Sequence, residues 1–101
     1  MADTVAHCPV CGYGLDFLPW LDEDSPSDEI CPCCFTQFGL DDVKLNDRLI
    51  DEAFTSSKAR AEIHRVLRQK WIEAGCPWRS SSRKPPPNWD PYKQLHDAGL
   101  L

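Results

Sequence analysis

At 101 residues, with 42% hydrophobic residues and a formal charge of −5, the chain is sized for one domain that buries a limited share of its surface, so a metal staple would add stability where the core is thin. No apolar run approaches the roughly 20 residues that span a bilayer, and the N-terminal Met1-Ala2-Asp3-Thr4-Val5-Ala6-His7 lacks the basic and then apolar segments of a signal peptide. These features speak against a membrane helix and predict a cytoplasmic protein, where six cysteines serve as metal ligands rather than as a disulfide framework.

The charge is unevenly spread. Residues 1–52 hold 12 acidic and 2 basic side chains, and residues 53–101 hold 4 acidic and 9 basic, so the halves carry −10 and +5. Four thiolates on a divalent ion would add a further −2 to the acidic half. Such asymmetry suits either internal packing of the basic part on the acidic part or an oppositely charged partner.

The first chemical signal in the chain is His7-Cys8-Pro9-Val10-Cys11-Gly12-Tyr13-Gly14, a Cys-x-x-Cys hook whose glycines permit positive φ just after the second cysteine. Leu15, Phe17, Leu18, Trp20 and Leu21 follow as an apolar cluster expected to cover the site and begin the core. Residues 22–29 (DEDSPSDE) read as a solvated loop between two strands. The second hook, Cys31-Pro32-Cys33-Cys34-Phe35, begins after 19 intervening residues, within the range of two-knuckle zinc sites. Cys8, Cys11, Cys31 and Cys34 are therefore the predicted ligands of one ion, zinc or alternatively iron. Cys33 is out of step with the hook and is expected to be a small buried bystander, with a redox-sensitive spare thiol as its functional alternative.

Beyond Gly39, residues 40–56 place Val43, Leu45, Leu49, Ile50, Ala53 and Phe54 near helical spacing. A clearer helix is predicted from about Ser57 to Ala74, with Ala59, Ile63, Val66, Leu67, Trp71 and Ala74 as its apolar stripe and Lys58, Arg65 and Arg68 opposite. Gly75 and Pro77 supply its stop. Residues 75–89 are too rich in Pro and Ser for regular structure and need anchors, for which Trp78 and Trp89 are suited. Asp90 and Pro91 then mark the start of a last helix. Cys76, beside a helix C-terminus, is given a packing role, with Arg79 the only nearby cation to argue for reactivity.

The predicted fold is small α+β: a rubredoxin-like zinc ribbon over residues 1–42, with two knuckles on short β-hairpins, followed over residues 43–101 by two to three helices and an extended Pro-rich C-terminal segment packed on it. Cys8-Pro9-Val10-Cys11-Gly12-Tyr13 and Ile30-Cys31-Pro32-Cys33-Cys34-Phe35, with Asp41-Asp42 after them, resemble the bacterial cysteine-rich proteins named for a Cys-Pro-Cys-Cys motif. The first hook is also similar to a rubredoxin knuckle. The resemblance covers about residues 7–42 and implies a metal-stabilised ribbon; some such proteins are encoded beside bacterial toxins, which implies an immunity or antitoxin role.

An enzyme is not expected. His7, His64 and His96 are scattered, no phosphate-binding glycine loop or His-Glu-x-x-His is present, and four thiolates leave no open coordination position. The expected function is contact with another protein, with a basic toxin as the most specific partner and Asp22, Glu23, Asp24, Asp28, Glu29, Trp78 and Trp89 as the recognition surface. The bland reading of those acids is solubility. Rubredoxin-like electron transfer is the alternative, and a nucleic-acid-binding regulator is the second alternative, weakened because no aromatics are interleaved with the basic helix face.

Overall fold

The computed structural model describes residues 4–101; Met1, Ala2 and Asp3, part of the N-terminal stretch read above, lie outside the described residues. Three two-stranded antiparallel hairpins precede two α-helices in an α+β arrangement. The first hairpin pairs β1 (Ala6–His7) with β2 (Gly14–Leu15), in the register Ala6↔Leu15 and His7↔Gly14. It brackets the first hook. A single bridge, Ile30↔Gln37, brackets the second in the same way.

The two hooks share a backbone pattern residue for residue. Cys8 N–H donates to Tyr13 O (2.8 Å) and Gly12 N–H to Cys8 O (2.8 Å), while Cys31 N–H donates to Thr36 O (3.0 Å) and Phe35 N–H to Cys31 O (2.8 Å). Each tight loop pairs part of its own backbone, and further carbonyls are bonded by Arg68, Gln94 and the backbone of residues 79 and 80.

Between the hooks, β3 (Trp20–Asp22) pairs with β4 (Ser25–Pro26). The acidic stretch, expected as a solvated loop between two strands, itself supplies the end of β3 and the whole of β4, with the turn at residues 23 and 24. Leu15 is buried and Phe17 and Trp20 are half-buried against the core, but Leu18 and Leu21 are exposed. Only part of the predicted apolar cover forms, because alternation along β3 turns Leu21 away from the side Trp20 occupies.

Residues 40–56 depart from their near-helical spacing. β5 (Lys44–Leu45) pairs with β6 (Arg48–Leu49), and a 3₁₀ turn follows over Asp51–Phe54. Asn46 and Asp47 join the strands at φ +50° and +65°, the paired positive values of a type I′ turn, which Asn and Asp tolerate better than other non-glycine residues. Five of the six apolar residues are still used, Leu49 alone being exposed: Val43 and Ala53 form a second core with Ile63 of the next helix, flanked by Leu45, Ile50, Phe54 and Trp20.

Helix α1 (Ser57–Glu73) starts where Ser56 Oγ accepts the Ala59 N–H at 3.2 Å. It ends in a Schellman arrangement: Gly75 N–H bonds Ile72 O (3.0 Å) and Cys76 N–H bonds Trp71 O (2.9 Å), with Gly75 at φ +94°. Ile63 and Trp71 of the predicted stripe are buried, Ala59, Val66 and Leu67 are half-buried and Ala74 is exposed. Arg68 is not on the solvated side. It reaches back to Val10 O through Nε (3.1 Å) and to Pro9 O through its guanidinium (2.8 Å), clamping α1 to the first hook.

Two further polar side chains of α1 are buried. Arg60 lies 3.6 Å from the centroid of the Trp20 ring and donates to Glu23 O (2.7 Å) and Ala53 O (2.8 Å). His64 Nε2–H donates to Asp42 Oδ2 (2.8 Å), an oxygen that also receives Trp20 Nε1–H (2.8 Å), while Asp42 Oδ1 receives Gly39 N–H (2.7 Å). Asp42 is fully buried. It thus ties β3, the loop behind the second hook and α1 to one carboxylate.

Residues 77–90 contain no helix or strand, and α2 (Pro91–Asp97) follows, with Asp90 Oδ1 accepting the N–H groups of Tyr92 (3.0 Å) and Lys93 (3.2 Å). Leu95 of α2 and Trp71 of α1 belong to the same buried cluster as Cys8, Cys11, Cys31 and Cys33. Among the described residues no helix is long and apolar enough to cross a membrane.

Burial would raise the carboxyl pKa of Asp42, but hydrogen bonds from His64, Gly39 and Trp20 outweigh it and hold the group below its ordinary value of 3.8. A depressed carboxyl stabilises the fold above the unfolded value and loses that contribution as pH falls through the folded one. Asp42→Ala, which leaves three donors unmatched, should cost about 3 kcal/mol or more in urea unfolding at pH 7. The gap between variant and native chain should shrink below about pH 4. A gap that is small at pH 7 or constant with pH would remove Asp42 as the joint.

Candidate metal centre

Cys8 and Cys11 come from the first hook and Cys31 and Cys34 from the second, and their four Sγ atoms all lie within 4.8 Å of one another. The Cys8–Cys34 separation is 3.8 Å and Cys11–Cys31 is 3.7 Å. A tetrahedron with metal–sulfur bonds of about 2.3 Å has edges of about 3.8 Å. The cluster is therefore of the right size and donor type to hold one metal ion, and it is built of the four predicted ligands.

Cys8, Cys11 and Cys31 are fully buried, and Cys34 is half-buried. Cys33 stands outside the group: it is buried, and its sulfur takes a contact of 3.5 Å from Gln94 Nε2. His7 is also outside, with Nδ1 3.1 Å from Gly12 O. Cys76 is buried at the end of α1, and burial pushes its thiol up, in keeping with packing rather than reactivity.

Protonation within the cluster follows from crowding. Burial pushes the Cys8 thiol up, and hydrogen bonding to Cys31 and the other cysteines pushes Cys11 up. Cys34 moves down instead, because Cys11, Cys31 and Cys8 hydrogen-bond to its sulfur, with Thr36 Oγ1 adding a contact at 3.2 Å. Several anionic sulfurs packed this closely repel one another, so the four cannot all ionise without a balancing charge. A central dication would supply that charge and permit four thiolates.

The C-terminal part of the chain covers the site. Gln94 Nε2 donates to Cys11 O (2.9 Å) and Trp89 Nε1 to Gln94 Oε1 (2.8 Å). Gly12, at φ +85°, has no room for a side chain: a Cβ would lie 2.9 Å from Gln94 O and 3.0 Å from Ala98 Cβ. This glycine serves the turn and the close approach of α2 together. Arg79 N–H and Ser80 N–H donate to Cys33 O and Pro32 O, both at 3.0 Å, laying the tail along the second hook.

The position matching Gly12 in the second hook is Phe35. Its φ is +65°, an unfavourable backbone for a bulky residue, and the residue is 49% exposed. Ile30, also 49% exposed, shares with it a cleft that includes Phe17, Asp16, Glu29 and Arg83.

The remaining predicted surface residues have varied surroundings. Asp22, Asp24, Asp28 and Glu29 are exposed. Glu23 is engaged inside the chain, its carboxylate accepting the Ser57 N–H at the start of α1. Trp78 and Trp89 are half-buried and packed edge to face (5.4 Å between centroids), with Tyr13 against Trp78 at 5.3 Å. Trp78 Nε1 donates to Arg83 O at 2.7 Å. Both indoles anchor the tail.

Comparison with known proteins finds no matching family model, no matching curated protein and no matching solved structure.

Because binding requires loss of the thiol protons, affinity for a divalent ion should fall as pH is lowered and protons should be released on loading. A strong chelator, or Cys31→Ser, should unfold the N-terminal half, seen as loss of near-ultraviolet circular dichroism. A chain that keeps its tertiary signal under both treatments would show that the cysteines do not hold the fold through a metal.

Proposed function

We propose that this is a non-enzymatic zinc protein that acts by binding another protein, its ribbon stapled by Cys8, Cys11, Cys31 and Cys34. The observation that carries the reading is Phe35. A bulky residue in the left-handed region costs about 1–3 kcal/mol, and a half-exposed ring recovers little of that by burial. Contact with a partner accounts for such an arrangement, and aromatic anchors commonly dominate interface energetics. Asp22, Asp24, Asp28 and Glu29 add an acidic surround that suits a basic partner, with Trp78 and Trp89 bracing the neighbouring tail. Neutralisation of a basic bacterial toxin, in the manner of an immunity protein, is the most specific form of this reading.

Four thiolates favour zinc or iron. Iron would make the chain a rubredoxin-like electron carrier, and the half-burial of Cys34 is the feature that favours this second reading, since it brings the site near the surface. Visible charge-transfer bands and bound iron would support it; a colourless protein with one zinc would end it. Arg60 and Arg68 are engaged inside the chain, which weighs against a nucleic-acid surface.

Phe35→Gly separates binding from folding. It should raise stability by about 1 kcal/mol or more by relieving the backbone, and it should weaken capture of the native partner at least tenfold, about 1.4 kcal/mol. Capture undiminished by the substitution would overturn the role given to Phe35. Native pull-downs that recover nucleic acid alone would overturn the protein-binding reading itself.

A further inference from the structure

Protection of the four sulfurs is uneven. Around the first hook, Arg68 holds Pro9 O and Val10 O, and Gln94 holds Cys11 O while α2 closes over Gly12. Residues 79 and 80 bond along Pro32 and Cys33. Cys8, Cys11 and Cys31 are consequently sealed, at 0% exposure. Cys34 is half-buried and lines two adjoining clefts of about 540 and 160 Å³ that share Thr36, Leu67 and Lys70. Its sulfur lies 3.8 Å from Cys8 Sγ, and Cys11 Sγ lies 3.7 Å from Cys31 Sγ.

We propose that Cys34 is the site at which a small two-electron oxidant of the hydroperoxide class enters the thiolate shell, and that its oxidation ends in a Cys8–Cys34 disulfide with release of the bound ion. The inference rests on the zinc reading above. Cys34 is the one residue of the four that is not fully buried, which selects it for attack, and Cys8, its sulfur 3.8 Å away, is within reach to resolve it. Cys33 is next to Cys34 in sequence, but it is sealed and directed to Gln94.

The chemistry balances with hydrogen peroxide as the oxidant. The Cys34 thiolate attacks one peroxide oxygen; an S–O bond forms, the O–O bond breaks, and the departing hydroxide takes a proton from solvent to become water. Sulfur has then lost two electrons and is a sulfenic acid. The Cys8 thiolate attacks this sulfur, an S–S bond forms, the S–O bond breaks, and a second hydroxide leaves as water after protonation. Two thiolates remain, too few to retain a zinc ion against a competing chelator.

The test uses the full chain, with bound metal measured before oxidant is added. Hydrogen peroxide should then release zinc to a chromogenic chelator, and peptide mapping after thiol alkylation should find Cys8 joined to Cys34 as the first disulfide. Leu67→Trp, which fills the cleft, should slow release at least tenfold while metal content and circular dichroism match the native chain. Retention of zinc under peroxide, a first disulfide elsewhere, or release at native rate from a folded, loaded Leu67→Trp would overturn the inference alone. A fresh preparation with no bound metal would overturn the zinc reading, and this inference with it.

Discussion

Four sulfurs gathered within 4.8 Å in a nearly sealed interior impose the requirement that the rest of the molecule meets. Crowded thiolates repel, so the gathering is favourable only when protons or a cation balance the charge. The β1–β2 hairpin and the Ile30↔Gln37 bridge hold each pair ready, but neither is long enough to be stable alone. A bound ion would therefore supply cohesion to much of the first 42 residues, where a small domain has little apolar interior. Helix α2 and the tail add the cover: Gly12 admits α2, Gln94 bonds the Cys11 carbonyl, and the backbone of residues 79 and 80 bonds the second hook.

A second joint of different physics stands beside the cysteines. Asp42 gathers Trp20, Gly39 and His64, and Arg60 lies on the Trp20 ring while holding two carbonyls. A buried carboxylate is tolerated because its oxygens are matched by donors, and the guanidinium because it is stacked and bonded. The basic and acidic halves meet here, and Arg68 makes another meeting point on the first hook. Part of the charge asymmetry is thus spent internally, which leaves the exposed acids and Phe35 as features that the fold itself does not explain.

The hooks were legible because Cys-x-x-Cys spacing is a local geometric requirement, and the C-terminal end of α1 and the start of α2 because Gly75 and Pro91 act through their own backbones and Asp90 through a side chain that bonds the next turn. Residues 40–56 were not, since near-helical apolar spacing competed with Asn46-Asp47, whose turn preference shows only when both φ values are known. Arg68 misled for another reason: periodicity gives the face on which a Cα lies, whereas a long side chain can bend back and bury its stem. His64 looked like one of three scattered histidines; its pairing with Asp42 crosses 22 residues of chain, and local sequence rules carry no information at that range. Cys33 was legible as a bystander by its step within the hook, but the Gln94 side chain that meets it comes from the far end of the chain.

X-ray absorption at the metal edge tests the central claim most directly, because it reads the ion's identity and its neighbours together. The account predicts one zinc per chain with four sulfur neighbours at about 2.3 Å. Nitrogen or oxygen in the first coordination shell, fewer than four sulfurs, or no stoichiometric metal would contradict it.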